Sequence, residues 1–125
     1  MNQSFQNIEK LKSKKLIDEL FRNGQSVNAF PVKMIYAKIP FEDAVKLKAG
    51  VSVSKRNFKK AVDRNRIKRL LRESYRLHKA SLIEKLDTQY VCMFLYLGKE
   101  EPNFEFVESK MKKVLLKFTE REELS

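Results

Sequence analysis

The sequence has few of the residues on which several protein classes depend. Its 125 residues include one cysteine, Cys92, which excludes a disulfide framework and a zinc site built from cysteines. Three glycines and three prolines are too few for collagen-like or low-complexity linker sequences. The longest apolar run, Tyr90–Leu97, has eight residues and is too short to span a bilayer. The first ten residues lack an apolar h-region, so we expect no secretory signal and a cytoplasmic location.

Apolar residues are frequent enough to build one folded domain. Hydrophobic residues make up 42% of the chain and aromatic residues 10%, more than a disordered chain would carry. A chain of this length can bury a core without disulfides or a structural metal. We therefore expect one domain over residues 1–125, with flexible ends at 1–10 and 120–125.

Hydrophobic periodicity predicts three helices and a small sheet. The predicted elements, in chain order, are a helix over Ser13–Asn23, a strand region over 26–39, a strand over 45–54, a helix from 57–60 to His78, a strand over Tyr90–Leu97 and a helix from near Asn103. Ser13 is the expected N-cap of the first helix, and alternation places Ile35 and Tyr36 on opposite faces of a strand. The order predicts an α+β fold, a two-layer sandwich with a small central β-sheet and three helices.

The positive charge is concentrated in one stretch. The chain has 27 Lys and Arg residues against 16 Asp and Glu residues, a formal net charge of +11. Residues 55–79 hold eleven basic side chains and only two acidic ones, Asp63 and Glu73. The other 100 residues hold 16 basic and 14 acidic side chains and are nearly neutral. The positive electrostatic potential of such a stretch favours the binding of polyanions. Nucleic acid is the first candidate and an anionic membrane the second.

The basic stretch separates into two faces when it is drawn as a helix. One side carries Ile67, Leu70, Leu71, Ser74 and Leu77, which can dock on the sheet. The opposite side carries Arg64, Asn65, Lys68, Arg69, Arg72, Arg76 and Lys79. A solvated face normally interleaves acids with bases, and a membrane-bound helix would need the apolar side that the sheet takes. The pattern therefore favours a nucleic-acid-binding face over a solvated face or a membrane-binding face.

Within this helix the string AVDRNRIKRLLR, residues 61–72, resembles the RNR signature of the bacterial ribonuclease P protein family. The preceding string GVSVSK, residues 50–55, resembles the strand that leads into that signature. The resemblance extends from about Leu11 to Phe118. It implies a fold in the order α-β-β-β-α-β-α, which has one strand more than periodicity alone predicts.

The resemblance implies a protein subunit of ribonuclease P that is not itself the catalyst. Members of the family bind the ribonuclease P RNA, a large catalytic RNA, and the complex removes the 5′ leader from precursor tRNA. The RNA carries the active site and holds the Mg²⁺ ions, so no metal is expected to be bound firmly by the protein. One monomeric protein pairs with one RNA, and no membrane partner is expected.

The resemblance also assigns residues to two RNA contacts. The residues that would face the catalytic RNA are Lys55, Arg64, Asn65, Arg66, Lys68, Arg69, Arg72 and Arg76. The residues that would line a cleft for the 5′ leader, between the first helix and the sheet, are Ile17, Phe21, Ile35, Tyr36 and Phe58. Ile35 and Tyr36 are alternatives for one position on the sheet, and core packing is the competing explanation for Phe21 and Tyr36. Ile17 replaces an aromatic residue seen in some members, and Phe58 lies in a loop (56–60) one residue longer than in some members.

Side chains suited to the hydrolysis of RNA are sparse. His78 is the only histidine and is expected to be solvated, while Cys92 is expected in the core. The acidic residues form no dense group of the kind that holds two metal ions, so we expect no catalytic residues. Two competing functions are a structural RNA-binding protein, such as a ribosomal or assembly factor, and a small self-sufficient nuclease.

Overall fold

The computed structural model describes residues 5–124, apart from the side chain of Ile8. Its α-helices and strands are α1 (Lys14–Asn23), β1 (Gln25–Ala29), β2 (Val32–Lys38), β3 (Leu47–Val53), α2 (Ala61–Glu84), β4 (Tyr90–Tyr96) and α3 (Phe104–Arg121), and a short 3-10 helix over Asn7–Glu9 precedes them. The α+β order that the resemblance implies, α-β-β-β-α-β-α, is confirmed. The flexibility of 1–10 and 120–125 stays a prediction, and residues 1–4 and 125 lie outside the described residues.

The four strands form one sheet in the order β1-β2-β4-β3, in which β3 runs parallel to β4 and the other neighbours are antiparallel. The single strand region predicted over 26–39 is wrong, because β1 and β2 form a hairpin there. Their turn contains a cis peptide bond between Phe30 and Pro31, and a proline has no N–H with which to continue a ladder. Periodicity missed the break because apolar residues continue through the turn.

The two faces of the sheet meet different helices. One face packs against α2 and α3 in the larger core, which includes Ile67, Phe94 and Phe118. The other face packs against α1 in a smaller core around Leu20 and Met93. β4 contributes to both cores, which confirms the prediction that this strand is covered on both sides. The sheet and the α2–α3 pair form the two layers of the predicted sandwich, and α1 covers part of the far face.

The ends of α1 are set by Ser13 and Gly24. The hydroxyl oxygen of Ser13 accepts a hydrogen bond from the N–H of Leu16 over 3.2 Å, which confirms the predicted N-cap. Gly24 has an extended conformation with φ of −75°. A Cβ there would lie 2.4 Å from the carbonyl oxygen of Leu20 and 2.9 Å from Cγ2 of Ile35. The glycine therefore allows α1 to approach β2 closely.

The long helix α2 extends to Glu84, beyond the predicted end at His78. Its buried residues are Ile67, Leu71, Ser74, Tyr75, Lys79 and Leu82. Leu70 and Leu77, which periodicity places on the docking side, are only partly buried. The helix therefore meets the sheet along a stripe that agrees with the prediction at its centre and extends one turn further along the chain.

Lys79 belongs to the buried side of α2, so its predicted place on the cationic side is wrong. Lys79 is only 4% exposed, and its ammonium group pairs with the carboxylate of Glu9. The same ammonium group lies 5.5 Å from the centre of the Phe5 ring. Lys10 forms a bridge to Ala49 at the outer edge of β3. The N-terminal segment is thereby held against α2 and β3.

Two tyrosines share one carboxylate just beyond the end of α3. The hydroxyl groups of Tyr36 and Tyr90 donate hydrogen bonds to Glu122 over 3.1 Å and 2.7 Å. Their ring centres lie 4.7 Å and 5.2 Å from that of Phe118. Burial, followed by the hydrogen bond to Glu122, raises the pKa of Tyr36 to about 12. The same two causes raise the pKa of Tyr90.

We expect the stability of the protein to fall as the pH rises from about 10 to about 12. A raised pKa means that the folded protein holds the Tyr36 proton more tightly than the unfolded chain does. The contribution of protonated Tyr36 to stability is therefore complete below the ordinary tyrosine pKa of 10.0. It is lost as the pH rises through the raised pKa of about 12. Tyr36→Phe lacks the titrating hydroxyl, so thermal denaturation should show a smaller loss across this range. The same loss in the variant and the parent protein would contradict a contribution from Tyr36.

Candidate RNA-binding surfaces

The solvent side of α2 presents a row of basic and polar side chains. We call this row the α2 basic face, and it consists of Asn65, Lys68, Arg69, Arg72 and Arg76. Spacings of three and four residues place these side chains on one side of the helix. Within residues 5–124, no carboxylate lies at ion-pair distance from Lys68, Arg69 or Arg72. These three cations are therefore available to a polyanion.

Three other predicted RNA contacts have different surroundings. Lys55 is exposed in the turn after β3. A guanidinium nitrogen of Arg66 lies 3.7 Å from the carboxylate of Glu101, and both side chains are about half exposed. Arg76 makes a two-point contact with Glu73, which lowers the pKa of that carboxyl group. Because exposed ion pairs are weak, Arg66 can exchange its partner for a phosphate at little cost.

Arg64 makes a contact within the protein that the motif does not reveal. Its Nη1 donates hydrogen bonds to the backbone carbonyl oxygens of Phe58 and Lys59, over 2.9 Å and 2.8 Å. Both acceptors belong to the loop between β3 and α2. Arg64 therefore fastens this loop to the first turn of α2, in addition to any contact with RNA.

The same loop is also tied to the far end of β4. The side-chain amide of Asn57 donates to the carbonyl oxygens of Leu97 and Gly98 over 3.4 Å and 3.3 Å. Phe58 is 7% exposed, and its ring lies 6.1 Å from that of Tyr96 in the core beneath α2 and α3. The prediction that Phe58 lines a cleft with α1 is therefore wrong, because it lies on the other face of the sheet.

Three of the residues predicted for the leader cleft, Ile17, Phe21 and Ile35, lie on α1 or on the side of β2 that faces α1. We call this set of residues the α1 cleft. Ile17 and Ile35 are partly buried against the smaller core around Leu20. Phe21 follows Ile17 by one helical turn and is 50% exposed. Core packing therefore does not explain Phe21, and much of its ring is accessible to a ligand.

Tyr36 lies on the face of the sheet opposite to Ile35, because successive residues of a strand point to opposite faces. It is 2% exposed and packs against Phe118 in the larger core. Of the two alternatives for the sheet position of the cleft, only Ile35 is on the side of α1. Tyr36 is thus a core residue, and its assignment to the cleft is wrong.

The two side chains with potential reactivity are both engaged inside the protein. Nε2 of His78 lies 2.8 Å from a carboxylate oxygen of Glu108, and both residues are partly buried, so the expectation of a solvated histidine is wrong. Cys92 is buried, and burial raises the pKa of its thiol, which therefore stays protonated.

Among residues 5–124, no three His, Cys, Asp or Glu side chains come together in a group that could hold a metal ion. This part of the chain therefore offers no protein-built cage for a Mg²⁺ ion. In the same part of the chain, no helix is long and apolar enough to cross a membrane.

The sequence did not reveal the roles of several residues near the loop before α2 and the β1–β2 turn. The loop contacts of Asn57 and Arg64 join residues that are adjacent in the fold but have no local pattern to announce them. Phe30 is 68% exposed in the β1–β2 turn. The dipeptide Phe30–Pro31 was the available signal, since a proline after an apolar run marks a turn that can expose its neighbour.

Comparisons with known proteins agree with this architecture and this motif. The family model described as Ribonuclease P matches residues 5–119. The ribonuclease P protein component of Porphyromonas gingivalis is 34% identical over 112 residues, which cover 87% of this chain and 82% of that protein. The ribonuclease P protein component of Dictyoglomus thermophilum is 34% identical over 118 residues, which cover 94% of this chain and 91% of that protein.

Two solved structures have the same fold. The RNase P protein of Staphylococcus aureus superimposes with a TM-score of 0.70 at 20% identity, over 88% of this chain and 94% of that chain. The RNase P protein of Thermotoga maritima gives a TM-score of 0.69 at 21% identity, over 87% of this chain and 96% of that chain. With the family match over most of its length, the chain belongs to the ribonuclease P protein family.

Proposed function

We propose that this protein is the subunit of ribonuclease P that binds the catalytic RNA through the α2 basic face and the 5′ leader of precursor tRNA through the α1 cleft. The observation that carries this proposal is that Lys68, Arg69 and Arg72 on α2 have no acidic partner within residues 5–124. The α1 cleft lies on the opposite face of the sheet. The two RNA contacts are therefore assigned to separate surfaces.

The α2 basic face suits the backbone of a folded RNA. Arg69 and Arg72 present planar guanidinium groups, which can bind a phosphate through two hydrogen bonds. Like charges on one helix face repel each other, so their concentration costs folding stability that a bound polyanion offsets. Asn65 lies among these cations and can donate to a phosphate or to a base edge.

The α1 cleft suits a single strand of variable sequence. Stacking of a base on an aromatic ring depends little on which base is present and is worth roughly 1–3 kcal/mol. Phe21 provides the accessible ring, and Ile17 and Ile35 provide apolar surface beside it. The cleft therefore favours precursor tRNA over mature tRNA, which has no leader.

The protein binds and positions RNA, and the RNA subunit carries the catalysis. The Mg²⁺ ions of the complex are held by the RNA in this proposal. One protein monomer pairs with one RNA in the cytoplasm, and residues 1–125 act as one domain. Lys55 and Arg66 extend the RNA contact beyond the α2 basic face, and Arg64 adds to it while fastening the loop before α2.

Phe21→Ala tests the assignment of the α1 cleft. We expect this variant to bind precursor tRNA about five-fold or more weakly in the assembled complex, because one stacking contact is lost. The affinity for mature tRNA should not change. Equilibrium binding of the two tRNAs to the complex of RNA subunit and protein measures both values.

Leu116→Ala is the matched control, because Leu116 is also an exposed apolar residue (58%) but lies on α3. It should leave both tRNA affinities unchanged. An equal loss of affinity for precursor and mature tRNA in Phe21→Ala would contradict the assignment of Phe21 to the leader.

A further inference from the structure

A second apolar groove lies at the end of the sheet where the β1–β2 turn meets the start of α3. It has a volume of about 430 Å³ and is lined by Phe30, Pro31, Leu97, Gly98, Lys99 and Phe106, with Tyr96 and Glu100 beside them. We call it the Phe30 groove. Neither the α1 cleft nor the α2 basic face includes any of these residues.

The walls of the Phe30 groove expose more apolar surface than a solvated turn requires. Phe30 is 68% exposed, Phe106 is 41% exposed and Leu97 is 37% exposed. Single exposed apolar residues are common on protein surfaces, but a cluster of them marks a binding site more often. Two aromatic rings on the walls of a groove of this size are suited to a flat, unsaturated ligand.

The backbone that lines the groove is held in place by hydrogen bonds. The N–H of Leu97 donates to the carbonyl oxygen of Pro31 over 2.7 Å, which ties β4 to the hairpin turn. The Tyr96 hydroxyl donates to the carbonyl oxygen of Glu100 over 2.8 Å. A Cβ at Gly98 would lie 2.6 Å from that hydroxyl, so only glycine fits. The groove is therefore formed before any ligand arrives.

The charges around the groove suit a nucleotide. Lys99 lies on its rim, and the ammonium group of Lys110 is 5.5 Å from the centre of the Phe106 ring. Either lysine can reach a phosphate. Glu100 also lines the groove, and a carboxylate can accept a hydrogen bond from the amino group of a base. This combination of stacking surface, cation and acceptor matches a base with its phosphate.

The groove is continuous with the residues assigned to the catalytic RNA. Asn57, in the loop that follows Lys55, donates to the carbonyl oxygens of Leu97 and Gly98, which line the groove. On the other side, Arg66 pairs with Glu101, which directly follows the rim residue Glu100. The groove therefore lies beside two of the residues that we assign to the catalytic RNA, Lys55 and Arg66.

We propose that the Phe30 groove binds one unpaired base of the catalytic RNA, stacked on Phe30 or Phe106. This proposal rests on the proposed function, because it adds a base-binding pocket to the surface that meets the RNA subunit. The groove thereby adds a contact with an unpaired base to phosphate contacts on α2, which carry no sequence information. It also explains why apolar side chains are exposed beside the most basic part of the protein.

A single tryptophan can report on the groove directly, because the protein contains none. Phe30→Trp keeps an aromatic ring at an exposed position, and Leu116→Trp places the same reporter on α3 as a control. On addition of the ribonuclease P RNA alone, we expect quenching of the emission of Phe30→Trp that saturates with RNA binding. The emission of Leu116→Trp should not change. Phe30→Ala should bind this RNA about five-fold or more weakly, and Phe30→Trp should bind it as the parent protein does.

Two results would overturn the proposal. The first is unchanged emission of Phe30→Trp under conditions in which the RNA is fully bound. The second is a response that appears only when precursor tRNA is added, which would assign the groove to the leader. Binding and stimulation of cleavage by the parent protein test the proposed function separately, so its failure is distinguishable from that of the groove.

Discussion

Replacing Arg69 and Arg72 together by alanine is expected to weaken binding of the ribonuclease P RNA by about ten-fold or more. Each arginine is exposed and has no carboxylate partner within residues 5–124, so its removal takes away the proposed RNA contact and no ion pair of the fold. Each lost phosphate contact should also reduce the slope of log affinity against log salt by about 0.7–0.9. Titrations of the RNA at several salt concentrations measure both effects.

A matched control removes the same charge from another helix. Lys112 and Lys113 are exposed on α3, and the double alanine variant changes the net charge by the same two units. Its salt slope should change much less than that of the α2 variant. Equal changes in the two variants would mean that the overall positive charge, rather than the α2 basic face, binds the RNA.

Arg64 and Arg66 are less suitable for this test, although they belong to the same motif. Arg64→Ala loses two hydrogen bonds to the loop before α2 as well as any phosphate contact. Arg66→Ala releases Glu101, whose negative charge then repels RNA nearby. Weaker RNA binding is expected for both, but only Arg69 and Arg72 isolate the contact with phosphate.

Lys79→Ala is expected to destabilise the protein by about 3 kcal/mol and to lower its Tm by about 10 °C. The side chains of Lys79 and Glu9 are 5% and 12% exposed, so the substitution leaves a poorly hydrated carboxylate without this partner. The cost lies at the lower end for a buried pair, because the carboxylate of Glu9 keeps some contact with solvent. Thermal and urea denaturation measure the loss.

Lys85→Ala provides the comparison for Lys79, because Lys85 is exposed at the end of the same helix. Its effect on stability should stay within about 0.5 kcal/mol. While folded, the Lys79 variant should keep the salt slope of the parent protein. A lower slope with unchanged stability would return Lys79 to the RNA-binding side of α2.

Local signals in the sequence were sufficient to predict the helices, most of the strands and much of the α2 basic face. Ser13 and Asn103 both have side chains that bond backbone N–H groups in the first helical turn, and both were recognisable as helix starts. Helical spacing placed Arg69 and Arg72 away from the buried stripe, because that stripe depends only on residues of α2 itself. Alternation also separated Ile35 from Tyr36.

The positions of the other site residues depend on contacts between distant parts of the chain and could not be predicted from local signals. Alternation could not decide whether Ile35 or Tyr36 meets α1, because that choice depends on which helix covers which face. Helical spacing assigns Lys79 to the cationic surface, because its partner Glu9 lies 70 residues earlier and only the fold brings the two together. The burial of Phe58 likewise depends on Tyr96, which belongs to β4.

The most direct measurement is cleavage of a precursor tRNA by the ribonuclease P RNA at low Mg²⁺, with and without this protein. A protein that binds and positions RNA without chemistry of its own should strongly stimulate correct 5′ cleavage and should cleave nothing when the RNA is absent. Tight RNA binding without stimulation would instead indicate a structural RNA-binding protein. Cleavage by the protein alone would contradict the assignment of catalysis to the RNA.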